Sequence, residues 1–257
     1  MLSLPKTAAA GITAATFALS LAVPAIAANV YEVDGSGTRG GTPSKPKAAK
    51  LSAEFTVATD NDSAGALIPE VISTYSFAIE GGKLDKRVLA KLSKCKVSAE
   101  GADQDDAQCP KSSIVGKGQL SAAVGTPGAL IQKPSFFCTL PFNIYNTGKD
   151  IALFIRATTK VCPTAVTQWI KQTTTQKGRT VVTSFTTPEN LQLVVPPSLY
   201  ASVTQANFTL SPKYAKIKGK KTSATQSIGC SDKKRDVAVT FTTRTGQKTT
   251  VKKTVAC

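Results

Sequence analysis

The amino-acid sequence predicts an all-β protein: a β-sandwich-like domain with short helical insertions, set behind a cleaved signal peptide and a flexible leader. Three observations predict it. Apolar and polar residues alternate in run after run, which is the period of half-buried strands. Thr and Val, both good strand residues, are abundant in those runs. Gly and Pro stand between the runs, where a chain of many short strands must turn.

Residues 1–27 have the layout of a signal peptide. Lys6 is the single charge ahead of Ala8 to Val23, an uncharged stretch rich in Ala, Leu, Ile, Val and Phe. Pro24 interrupts the apolar run, and Ala25-Ile26-Ala27 offers the small residues a signal peptidase reads. Cleavage is expected after Ala27, with Ala28 as the near alternative. Gly11 and Pro24 weaken the competing reading, a retained membrane helix. No Cys near the cleavage point offers a lipid attachment site, and Thr254-Val255-Ala256-Cys257 is no apolar tail. The expectation is release, giving a secreted, extracellular protein that either stays free or associates with the cell envelope.

Residues 28–50 are rich in Gly, Ser, Pro and Lys (Asp34-Gly35-Ser36-Gly37-Thr38-Arg39-Gly40-Gly41-Thr42-Pro43). With little to bury, they are expected to form a flexible leader. Residues 51–257 then form a disulfide-stabilised β domain, as one unit or as two sub-sheets. Leu51 to Val57 alternates cleanly, and Val71 to Ile79 repeats the pattern with Val71, Tyr75, Phe77 and Ile79 on one face. Gly81-Gly82 signals a turn, and Lys83 to Ser93 reads as a short helical or irregular stretch. Further strands are expected at 113–124, 135–145, 151–158, 180–186, 191–195, 202–210, 237–243 and 249–255. The last two flank a hairpin turn at Arg244-Thr245-Gly246-Gln247, and 163–177 is expected to hold a short helix around Trp169.

Cys95, Cys109, Cys138, Cys162, Cys230 and Cys257 all follow the signal segment, and their number is even. Export to an oxidising compartment makes three disulfides the expected state. Six cysteines allow fifteen pairings. The simplest is sequential, and Cys230–Cys257 is the best supported because it brackets the predicted hairpin. No C-x-x-C spacing suggests a metal site, and no cofactor is expected. The chain has no His, which excludes Ser-His-Asp triads, Cys-His dyads and His-based zinc sites.

The cysteine contexts carry a resemblance. Leu92-Ser93-Lys94-Cys95, followed by Cys109-Pro110-Lys111-Ser112-Ser113-Ile114-Val115-Gly116-Lys117-Gly118, resembles a pattern in uncharacterised secreted, disulfide-containing β proteins of actinobacteria. In that pattern a Leu-x-x-Cys is followed by Cys-Pro-x-Ser-x-x-Gly-x-Gly leading into a strand; here one extra residue separates Ser112 from Gly116. The ending is similar too, from Cys230 through Phe241 and from Gly246 to Cys257. The resemblance covers about half of the mature chain in pieces, and Cys138 and Cys162 are less typical of it. It implies a secreted β architecture and carries no assigned activity.

Charge is the remaining signal. The chain has a formal net charge of +16, and its last quarter is basic, with only Asp232 and Asp236 opposing its cations. Lys213, Lys216, Lys218, Lys220, Lys221, Lys233, Lys234, Arg235, Lys252 and Lys253 are the candidate polyanion-binding residues. Such a field attracts anionic polymers by steering and counter-ion release. Tyr214 and Phe241 are too few aromatics for a base-stacking surface, so no specific nucleic acid is expected. Asp60-Asn61-Asp62-Ser63 and Asp103-Gln104-Asp105-Asp106 offer oxygens suited to Ca²⁺, but they lack EF-hand spacing and match ordinary turns. Glu54, Glu70, Glu80, Asp85, Glu100, Asp150 and Glu189 supply carboxylates that a glycosidase would need in pairs. Trp169 and Phe136-Phe137 read as core or interface residues, and the sequon Asn207-Phe208-Thr209 as chance.

The functional expectation is an exported, non-enzymatic β protein associating by charge with anionic cell-envelope polymers or a membrane surface. The alternatives are a secreted carbohydrate-active enzyme using paired carboxylates and an oligomeric surface scaffold. The sequence leaves oligomeric state open.

Overall fold

Alternation along a strand puts every second side chain on one face, and the strands bury the residues this rule selects. In the computed structural model, which describes residues 29–59, 68–97, 105–126, 134–195 and 199–257, β3 (Leu51–Thr59) buries Leu51, Ala53, Phe55 and Val57. The expected signal peptide and Asp60-Asn61-Asp62-Ser63 lie outside the described residues, as do Glu100, Asp103 and Gln104.

The chain runs through β1 (Asn29–Gly37), β2 (Lys47–Ala48), β3, β4 (Ile72–Glu80), β5 (Gly82–Leu84) and the four-residue helix α1 (Lys86–Leu89). It continues as β6 (Ile114–Gly125), β7 (Phe136–Asn146), β8 (Ile151–Ala157), β9 (Val166–Lys171), β10 (Thr173–Lys177) and β11 (Thr180–Thr186). A second short helix α2 (Glu189–Gln192) leads to β12 (Leu193–Val195) and β13 (Leu199–Leu210). The last elements are β14 (Tyr214–Ile217), β15 (Lys220–Ser223), β16 (Thr225–Ser227), β17 (Lys234–Thr243) and β18 (Lys248–Ala256).

One sheet of eight strands has the order β1-β3-β13-β6-β7-β8-β9, with β12 on β13; a second of five has the order β10-β11-β4-β17-β18. The strand pairs are antiparallel, and the two large sheets share one apolar interior. Phe55 of the first stacks on Tyr75 of the second at 5.4 Å, and Phe208 meets Phe77 edge-on at 5.0 Å. Small sheets β2-β16-β5 and β14-β15 complete the fold. The chain passes from the first large sheet to the second at Gln172, between β9 and β10. The all-β, sandwich-like expectation is met.

Three disulfides join Cys95–Cys109, Cys138–Cys162 and Cys230–Cys257, the sequential pairing. Their presence fits an oxidising environment. No helix of the described residues is long and apolar enough to cross a membrane. Trp169 packs at 4.6 Å from Phe154 and 5.3 Å from Tyr145 in a small second core beside Cys95, on the outer side of β8.

Two expectations about secondary structure are overturned. Residues 29–37, assigned to a flexible leader, form β1, paired with β3 over nine residues from Asn29↔Thr59 to Gly37↔Leu51. The glycines that suggested flexibility are there for close approach. A Cβ at Gly35 would collide with Val237, and one at Gly37 with the Arg235 guanidinium. Tyr31, on the same face, stacks on Phe241 at 4.4 Å. The helix expected around Trp169 is instead the strands β9 and β10. The run Val166-Thr167-Gln168-Trp169-Ile170 is β-branched and aromatic, and its inward face belongs to the main interior. The strand expected at 191–195 is half correct, since α2 holds 189–192 and only Leu193–Val195 is extended.

Candidate functional site

The interior between the two large sheets is not filled. A cavity of about 430 Å³ lies there, within the range of pockets that hold small molecules. Its wall on the first sheet is built from the inward rows of neighbouring strands: Leu120, Ala122 and Val124 on β6; Phe136, Cys138, Leu140, Phe142 and Ile144 on β7; Ile151, Leu153 and Ile155 on β8. The register places them side by side, with Ala122 opposite Cys138 and Leu140 opposite Leu120. The opposing wall carries Tyr75, Phe77 and Ile79 on β4 and Val181, Thr183 and Phe185 on β11.

Small residues keep the space open. Ala122, Ala201 and Ala206 all line the cavity, and a Cβ at Gly118 would strike the Phe142 ring. Ala206 sits on the inward face between β3 and β6 and is still 9% exposed, so its free surface looks into the void.

The cavity reaches along β7 from Phe136 to Ile144 and across the inward rows of β3, β13, β6, β7, β8 and β9.

Polar groups gather at one end. Thr164, Ala165 and Thr167 before and within β9, and Asn190 of α2, line the cavity and are exposed, so it opens to the surface there. Asn190 Nδ2 donates to Gln168 Oε1 at 2.9 Å, joining α2 to β9 across the opening. Gln168 in turn donates to the Trp169 carbonyl. Among the described residues, no Asp, Glu, Lys or Arg lines the cavity, although 48 residues of the chain are charged. Tyr75 contributes a wall whose hydroxyl is buried and, among the described residues, unpartnered. Burial pushes that phenol well above the ordinary tyrosine range, so it stays neutral.

The basic residues named from the sequence fall into two groups. Lys213, Lys216, Lys218, Lys220 and Lys221 lie on or next to the β14–β15 hairpin, whose turn puts Lys218 and Gly219 at positive φ. Lys216 stands directly opposite Lys221, and the Lys221 ammonium lies 4.7 Å from the exposed Tyr214 ring. Lys233, Lys234, Lys252 and Lys253 belong to β17, β18 and their approach; Lys252 pairs with Asp236 at 3.0 Å.

Arg235 is a correction. It was expected on the polyanion face, yet it is 0% exposed. It follows the inward period of β17 with Val237, Val239 and Phe241. Its Nε donates to the Glu80 carbonyl at 2.9 Å, and Nη2 to the Thr38 carbonyl and Ser227 Oγ, both at 3.2 Å. It is a staple between the loop after β1, β4 and β16 rather than a surface charge.

The acidic candidates are engaged singly. Glu54 accepts from Gln205, Glu70 from Thr245 and Glu80 from Ser231; Asp85 pairs with Arg87, Asp150 with Lys86 and Glu189 with Arg244. Asp105 closes a turn by accepting from the Ala107 amide, and Asp106 pairs with Arg156. No group of His, Cys, Asp or Glu suited to a metal ion occurs among the described residues. The cavity was missed in the sequence because a void is a property of two facing walls, and only register shows which small residues share one.

Comparison with known proteins finds no protein-family model, no curated protein and no solved structure that matches the chain.

Proposed function

We propose that this protein is an exported, non-enzymatic carrier that holds a small apolar molecule between its two sheets. The cavity is the observation that carries this reading. Protein interiors are packed like organic crystals, and an empty cavity costs about 24 cal/mol per Å³. Larger residues at Ala122, Ala201 or Ala206 would fill part of it, and their small size supports a space kept for an occupant. The absence of charge among the described lining residues favours a neutral hydrocarbon body, and the amides and hydroxyls at the opening suit a small polar head.

The test is titration of the delipidated protein with N-phenyl-1-naphthylamine, a neutral probe that fluoresces in apolar surroundings. Saturable uptake by the wild type and its loss in Ala206→Phe are expected. Uptake that is absent, or unchanged in that variant, overturns the reading.

A second reading is favoured by one observation. Like charges directly opposite each other destabilise a strand pair, and Lys216 faces Lys221 on a hairpin that exposes four lysines. An anionic polymer of the cell envelope would relieve that repulsion. Replacing Lys216, Lys218, Lys220 and Lys221 with Gln should abolish salt-sensitive sedimentation with purified wall polymer. Unchanged sedimentation would remove this reading and leave the carrier untouched.

A further inference from the structure

One polar side chain interrupts an apolar row of the cavity wall. Register across the first sheet aligns Phe208 with Gly118, Gly118 with Phe142, Phe142 with Ile155 and Ile155 with Gln168. Phe208, Phe142, Ile155 and Gln168 all line the cavity. Along β9 the inward period runs Val166, Gln168, Ile170, so an aliphatic residue at 168 would continue it. Gln168 is instead an amide, and it is only 7% exposed.

A buried amide is costly unless it is hydrogen-bonded. Its side chain has two N–H donors and an oxygen with two lone pairs. Gln168 uses one of each: Nε2 donates to the Trp169 carbonyl at 3.1 Å, and Oε1 accepts from Asn190 Nδ2 at 2.9 Å. Among the described residues nothing engages the second N–H. The bond to Trp169 also fixes which way round the amide sits, since only its NH₂ end can face a carbonyl. The side chain is therefore a pre-set donor with one N–H to spare. It stands beside Thr167 and near Thr164, where the cavity opens.

We propose that Gln168 reads the polar head of the occupant by donating this N–H to a neutral oxygen, and that the ligand class is a small apolar ketone, ester or alcohol. The assignment rests on the carrier reading and gives it a substrate class. Charge decides against the corresponding acid or amine. No Asp, Glu, Lys or Arg among the described residues lines the cavity, so an ionised head would enter an apolar space without a counter-charge. A pure hydrocarbon would fit the walls but leave the spare N–H unpaired in a site emptied of water, which a buried donor penalises. The row from Ile155 to Phe208 takes the hydrocarbon part across the sheet, passing Gly118, where a Cβ would strike the Phe142 ring.

The experiment is displacement of N-phenyl-1-naphthylamine from the delipidated protein, with its disulfides intact, by 2-octanone and by 2-methyl-1-octene, the isostere in which C=CH₂ replaces C=O. The readout is the ratio of the two affinities, which a general loosening of the wall does not move. Gln168→Leu removes the donor and keeps the bulk, whereas Asn190→Ala removes only the tie between α2 and β9. The ratio should fall by about fivefold in Gln168→Leu, the worth of one neutral hydrogen bond, and stay near the wild-type value in Asn190→Ala. Octanoate at pH 8 should displace little probe from wild type, a comparison that needs no variant. A ratio unchanged in Gln168→Leu, an equal fall in Asn190→Ala, or octanoate that competes as well as 2-octanone overturns the assignment and leaves the carrier standing. Wild type that takes up no probe overturns the carrier reading, and the assignment with it.

Discussion

Filling the cavity should stabilise the protein while removing its function, and Ala206→Phe is the substitution that tests this. Ala206 sits between Phe55 on β3 and Leu120 on β6, with its methyl group facing the void. A phenyl group there would occupy about 100 Å³ of space that is now empty, worth about 2 kcal/mol at about 24 cal/mol per Å³ of cavity removed. For a chain of this size that corresponds to a rise in Tm of about 4–8 °C.

Saturating ligand stabilises wild type by mass action, by about 2.7 kcal/mol at a hundredfold excess over Kd, and should do nothing for the variant. The assay is thermal unfolding of delipidated protein by circular dichroism, with and without probe. The expected result crosses over, with the variant more stable when empty and the wild type gaining on adding ligand. A variant less stable than wild type whose probe response is intact would refute the reasoning. It would mean that Ala206 is packed, and that any ligand binds elsewhere.

Other outcomes follow from the same structure. Cys138 and Cys162 close a loop with a sequence separation of 24, so replacing both with Ser should lower stability in urea by about 3 kcal/mol and loosen the opening, seen as faster probe release. The chain has no His, and all six cysteines are bonded, so no side chain has an ordinary pKa between about pH 5 and 9. Unfolding free energy should therefore be flat between about pH 5.5 and 8.5, and a marked slope in urea titrations would contradict this. Below that window Asp85 matters, because the Arg87 guanidinium holds its carboxyl under the usual carboxylate range. A folded pKa below the unfolded one adds stability above the unfolded value, which is lost as pH falls through the folded one. Asp85→Asn should lower stability at neutral pH and flatten the loss below about pH 4. Gly37→Val should drive a side chain into Arg235 and free β1, read as faster amide exchange along residues 29–37.

Much of the sandwich was legible because its central strands are half-buried and obey a period of two. The rows Leu51-Ala53-Phe55 and Tyr75-Phe77-Ile79 could be read directly, and the ends of β11 coincide with the expected strand. The failures share a physical cause, since each depends on a partner the sequence does not display. β1 reads as linker until Gly35 and Gly37 are seen against Val237 and Arg235. Arg235 reads as a surface charge until its donors are found on the carbonyls of Thr38 and Glu80. Hydrogen bonding with so much desolvation is specific to this position, and nothing in Lys233-Lys234-Arg235 announces it.

Arg235 also bears on why the cavity survives. A guanidinium buried without a carboxylate partner in contact is costly, and burial pulls its pKa down despite the charge of Glu80. Yet it ties β17 to the loop after β1 and to β16, at the end of the sandwich where Gly37 makes room for it. Two sheets that do not fill the space between them need to be held apart and together by their margins. Here the margins are Arg235 with Cys230–Cys257, the β9-to-β10 crossing at Gln172 beside the start of β8, and Cys138–Cys162 beyond the other end of β8. Interior packing stabilises most small domains; this one places its directional bonds and crosslinks at the edges and leaves part of the middle for something else. On that argument, Arg235→Met should weaken the margin without touching the cavity lining. Probe affinity should then fall through added motion of the walls, seen as a faster release rate with little change in association rate. An unchanged release rate in a folded Arg235→Met protein would show that the cavity is maintained by its own lining alone.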